Sequence, residues 1–166
     1  MILRLAQKLS TKLKITTATV LPPDPNPFAD WSANLFTAER AQFVIVTNTA
    51  SLYSTVFSGR GIANDRQFTS QVLGAIREFL EADGQKLTFQ RRIAPASGSV
   101  HFSKALNRSV TGSMNDLIIH AKMWLSEREL STHETSFRLN DIPFSSLKYR
   151  KPREVFKSLT VPKNLV

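Results

Sequence analysis

The run Gln42-Phe43-Val44-Ile45-Val46-Thr47, QFVIVT, sets how this chain folds. It is β-branched and mostly apolar, which marks a central strand. The segments on either side carry the same signal. In Trp31-Ser32-Ala33-Asn34-Leu35-Phe36, residues Trp31, Ala33 and Leu35 share one face. Ser51–Phe57 alternates, with Tyr53, Thr55 and Phe57 on one side. The linkers Ala38-Glu39-Arg40-Ala41 and Asn48-Thr49-Ala50 are short enough for hairpins. The three runs therefore predict a meander.

Helical periodicity follows. Asn64 is placed to cap a helix, with Gln67 in capping-box position and Gly84 as the stop. Phe68, Val72, Ala75, Ile76 and Phe79 form its buried stripe. Lys86–Ile93 and Ser99–Lys104 predict two further strands joined by the loop APASGS. A second helix is expected over Met114–Arg128, with the stripe Leu117, Ile118, Ala121, Trp124 and Leu125. Near the start, Leu5, Leu9 and Leu13 recur every four residues beside Lys8 and Lys12, which predicts a short amphipathic helix. Met1–Leu5 fits a short strand as well. The segment Leu21-Pro22-Pro23-Asp24-Pro25-Asn26-Pro27 forbids helix and reads as a semi-rigid loop. From Ser131 onward the chain reads as irregular, with one short helix near Glu154–Leu159.

The expected fold is α+β. An antiparallel meander sheet of about five strands carries two main helices on one face, plus a short N-terminal helix. One domain spans 1–166. It divides into an N-terminal element (1–20), the proline-rich loop (21–29), a core (30–130) and a basic C-terminal segment (131–166).

Composition narrows the function. The chain has 166 residues and no cysteine. Disulfides, thiolate zinc sites, iron–sulfur clusters and cysteine nucleophiles are thereby excluded. No apolar run approaches the roughly 18 residues of a membrane span, and no apolar signal core is found. The expectation is a cytoplasmic protein that does not meet a membrane. The formal charge is +9. Residues 1–14 carry four bases and no acid, 85–109 five bases and no acid, and 141–166 six bases and two acids. Brought together they would form one basic face, which attracts nucleic acid or an acidic protein.

Four segments in order, DWSANLF (30–36), VTNTASLYS (46–54), NRSVTGSMNDL (107–117) and PFSSLKYRKPREVF (143–156), resemble an uncharacterised bacterial domain-of-unknown-function family. Its pattern holds W-x-A-N-L-F, T-N-x-x-S/T-L-Y and N-R-S-V-x-G-S-M-N-D segments, and the likeness covers nearly the whole chain. It implies a bacterial or mobile-element origin and no particular activity. In the family pattern histidine follows the tryptophan; Ser32 stands there in this chain.

NRSVTGSMND is the first candidate site. Ser113 and Asp116 match a capping box, and Gly112 allows a sharp entry turn. A helix N-terminus also attracts anions, so Arg108, Ser109, Gly112, Ser113 and Asn115 are candidate phosphate contacts. Asp116 and His120, four apart, fit a carboxylate–imidazole pair for general-base work, with His101 as a further candidate. The three histidines lack the spacing of a metal motif. No metal or cofactor is expected. Arg91, Arg92, Tyr149, Arg150 and Lys151 are candidate nucleic-acid contacts, the tyrosine stacking on a base while the cations meet phosphates.

These readings favour a basic, nucleic-acid-interacting protein, extending to a metal-independent ribonuclease if His101, His120, Arg108 and Arg92 converge. The alternatives are one half of a toxin–antitoxin or phage-defence pair, and a nucleotide or phosphate binder at Asn107–Asp116.

Overall fold

The computed structural model describes residues 1–127 and 129–165. Its centre is a five-stranded sheet in the order β4-β3-β2-β1-β5. The strands are β1 (Ile2–Leu5), β2 (Asp30–Ala38), β3 (Ala41–Asn48), β4 (Ser54–Ser58) and β5 (His101–Lys104). The expected meander is present as β2-β3-β4, antiparallel throughout. Glu39 and Arg40, both left-handed (φ 46° and 64°), form the tight turn between β2 and β3.

The sheet is mixed, not purely antiparallel. β1 inserts between β2 and β5 and runs parallel to both, Leu3 standing opposite Trp31 on one side and Phe102 on the other. The strand alternative for Met1–Leu5 therefore holds for Ile2–Leu5. The short helix follows it as α1 (Gln7–Leu13). Parallel neighbours need long crossovers, and the 6–29 segment and the whole 59–100 region serve as these.

The helices cover both faces, which corrects the one-face expectation. On the first face, Leu3, Trp31, Ala33, Val44 and Val46 pack with α1, with α2 (Asp65–Ala82) and with Phe156 of α6 (Pro152–Lys157). On the second, Phe36, Ile45 and Val56 meet Met114, Leu117, Ile118 and Ala121 of α4 (Arg108–Ser126). Alternate residues of QFVIVT thus enter two different cores. Burying each such side chain is worth roughly 1.5–3 kcal/mol.

Asn64 caps α2 through Gln67 N–H at 2.9 Å, and Gly84 (φ 73°) ends it as expected. The strand expected at Lys86–Ile93 is instead a helical turn, α3 (Lys86–Thr88), running into a π-helical turn over Phe89–Ile93. Phe89 and Ile93 lie four apart and both face the first core, so helical spacing outweighs the local strand signal. The C-terminal part is more ordered than its sequence suggests. Ser131 and Glu134 form a reciprocal capping box that starts α5 (Thr132–Leu139).

Both sheet edges meet other segments of the chain. Along β4, Asn140 exchanges hydrogen bonds with both backbone groups of Ser54, at 2.8 and 2.7 Å, and Ser136 Oγ accepts Val56 N–H at 2.9 Å. Along β5, Lys104 N–H donates to Thr19 at 3.2 Å. The proline loop is held from beneath. Arg4, 1% exposed, forks onto Asp30 at 2.8 and 2.7 Å and donates to the carbonyls of Leu21 and Pro22.

Candidate nucleic-acid interface

β1 and β5 stop at Leu5 and Lys104, level with Ala33, while β2 runs on to Ala38. This step leaves a depression past the carboxyl ends of β1 and β5, beside the middle of β2. Its floor is Leu5, Ala6 and Ala33, one wall is the 17–20 loop, and the other is the start of α4 through Val110, Thr111 and Met114. The central cavity has a volume of about 340 Å³.

Shallower hollows continue it on both sides. One is bordered by Lys8, Asn34, Thr37, Asn115 and Lys122. The other is bordered by Thr11, Lys14, Thr16 and Lys104. Gln7 borders all three, so the hollows adjoin, and together they make up a segmented groove. Among the described residues, no acidic side chain lines it. Lys8, Lys14, Lys104 and Lys122 are exposed, and among the described residues none of them is in an ion pair.

NRSVTGSMND enters this site differently from expectation. α4 begins at Arg108, and Asn107 is its cap, its Oδ1 accepting Val110 N–H at 3.0 Å. Ser113 is inside the helix and bonds Ser146 Oγ at 3.1 Å, so the expected Ser113–Asp116 capping box does not form. Gly112 makes no entry turn, because it lies within the helix. Asn107 outranks the later Ser113 because it meets the first free N–H groups of a longer helix. Arg108 and Ser109 are exposed on the first turn and line none of the three hollows; Asn115 lines one of them.

Asp116 and His120 form no carboxylate–imidazole pair. The ring Nδ1 lies 2.9 Å from the Asp116 backbone carbonyl instead, and the ring packs against Trp124 at 5.7 Å. His101 is at the amino end of β5, next to Ser99, at the opposite end of the strand from the groove. Arg91 and Arg92 border a separate hollow with Lys163, Leu159 and Thr160, which holds neither His101 nor His120. The basic segments thus feed two surfaces, not one face. Arg4 is committed internally to Asp30. Among the described residues, no three His, Asp or Glu side chains converge as metal ligands.

Tyr149 is 78% exposed, at the tip of a loop where Lys148 and Tyr149 both adopt left-handed backbone (φ 55° and 61°). The loop is fixed by the Phe144–Arg150 bridge and by the Ser146–Ser113 hydrogen bond, which ties it to α4. Arg150 turns back to Glu154 and Ser158, and the Lys151 N–H donates to Glu154.

The chain matches the family described as Domain of unknown function (DUF6933) over residues 2–155. It belongs to that family. Among curated proteins none matches the chain. The DUF6933 region includes all five strands and the whole groove, and it ends inside α6. No helix among the described residues is long and apolar enough to cross a membrane.

No sequence pattern singles out Lys8, Lys14, Lys104, Lys122 and Gln7 as contacts. Lys8 is visible only as the polar face of α1, and Lys104 only as the end of a basic strand. Their convergence depends on β1 lying between β2 and β5, which no local pattern encodes.

Proposed function

We propose that this DUF6933 chain binds nucleic acid along the groove past the carboxyl ends of β1 and β5, beside β2. One observation carries the reading: three adjoining hollows that share Gln7, bordered by Lys8, Lys14, Lys104 and Lys122 and, among the described residues, lined by no acid. Spaced cations without an opposing carboxylate suit a phosphodiester backbone, whose charges recur at short intervals. Cleavage is not included, because neither His101 nor His120 lines the groove or the hollow of Arg92.

The test is fluorescence anisotropy with labelled RNA and DNA at about 50 and 200 mM salt. Affinity should fall steeply with salt, with a slope of roughly −0.7 to −0.9 per phosphate met. Changing Lys8, Lys14, Lys104 and Lys122 together to Gln should flatten that slope by about 3 units, roughly 0.7–0.9 for each of the four phosphates no longer met by a lysine. Changing Arg91 and Arg92 should leave the slope nearly unaltered. Absence of binding at low salt defeats the reading and turns attention to an acidic protein partner.

A further inference from the structure

The central cavity supports a finer assignment, which rests on the nucleic-acid reading. We propose that it seats one unstacked base, so that the ligand class is single-stranded rather than duplex nucleic acid. The walls are of two chemical kinds. Val20 on one wall and Val110 and Met114 on the other offer apolar surface above the Leu5 floor, which suits the two faces of a base. Gln7 and Asn34 bring amides, which suit its donor and acceptor edge. Asn34 Oδ1 is occupied by Leu35 N–H at 2.8 Å, and among the described residues its Nδ2 donates to no protein atom.

The charge pattern points the same way. Arg4 lines the floor, but its guanidinium is committed to Asp30, Leu21, Pro22 and Ser103. It offers nothing to an anion. The remaining cation at this cavity is Lys104, on the exposed rim. One rim cation above an amphipathic interior fits a nucleotide with its base inside and its phosphate outside. A free phosphate would find one lysine and a mainly apolar chamber. The volume of about 340 Å³ lies at the small end of ligand pockets, which run from about 300 to 1,000 Å³. A base inside a duplex reaches such a chamber only after unpairing, so duplex binding is penalised.

The experiment compares labelled single strands, the matching duplex, and a strand of the same length whose central nucleotides are abasic. The wild-type protein should prefer the intact single strand over the other two by roughly five-fold or more, the low end of what a base stacked on an aromatic ring contributes, since the cavity's apolar walls are aliphatic. Ala105→Trp and Thr17→Trp, at the cavity's rim, should erase that preference while keeping the salt slope. Thermal melts check that both variants fold, and the wild-type comparison stands if either does not. Equal affinity for all three ligands overturns the inference and leaves the groove reading intact. So does an unchanged preference in both folded tryptophan variants. Absence of binding to every ligand overturns the groove reading as well.

Discussion

At the scale of single residues, two buried polar groups organise the molecule. Arg4 and Asp30 are 1% and 3% exposed and joined by two short hydrogen bonds. Removing one partner strands the other's charge away from water. Arg4→Met should therefore cost about 3–5 kcal/mol in urea unfolding, and a joint apolar replacement of both should cost much less. The second group is Tyr53, whose hydroxyl donates to Asp83 at 2.6 Å, with Gln85 and Arg153 completing the cluster. Burial lifts the phenol well above the ordinary tyrosine range, against the opposing pull of Arg153 and Gln85. The folded form holds this proton more tightly than the unfolded form. That stability is complete below about pH 10, the unfolded value, and is lost as pH rises above it. Melting temperatures between about pH 9 and 11 should decline in the wild type and decline less in Tyr53→Phe.

At the scale of elements, the informative case is where α4 begins. A Ser-x-x-Asp pattern sits at Ser113–Asp116, and Asn-x-x-Val sits six residues earlier. The structure uses the earlier signal, because Val110 and Met114 must reach the second core and the cavity wall from a helix already formed. Asn107→Ala should cost about 1 kcal/mol in denaturant unfolding, the usual loss of an N-cap. Ser113→Ala removes only its hydrogen bond with Ser146 and should cost less. The Lys86–Ile93 turn shows the same competition in reverse. Its β-like look is local, whereas Phe89 and Ile93 answer to a core supplied by distant segments. The sequence of α5 looks irregular, although Ser131 and Glu134 spell a capping box. Its short stripe is half polar, because Ser136 and Asn140 serve the β4 edge instead of a core.

At the scale of the whole molecule, charge placement carries the proposed function. The net charge of +9 is a sequence fact, but its use is divided. One share lies on the groove at Lys8, Lys14, Lys104 and Lys122, and another borders the hollow of Arg91, Arg92 and Lys163. If the groove carries binding, Lys104→Gln alone should weaken oligonucleotide affinity more than Arg91→Gln and Arg92→Gln combined. Parallel titrations at a single low salt concentration measure this. The reverse order would move the interface to the amino end of the sheet.

Local sequence suffices for the meander, the α2 cap and stop, the helix spanning Leu117 to Trp124, the α+β class and the excess of positive charge. These rest on contacts between near neighbours or on composition, both of which a short pattern records. The parallel placement of β1 between β2 and β5, the helices on both faces and the burial of Arg4 arise only in three dimensions. The same holds for the groove. Those outcomes depend on which distant segments pair and on how far each strand extends past its neighbour. That pairing is selected by the joint burial of two cores, and no single stretch of the chain encodes it.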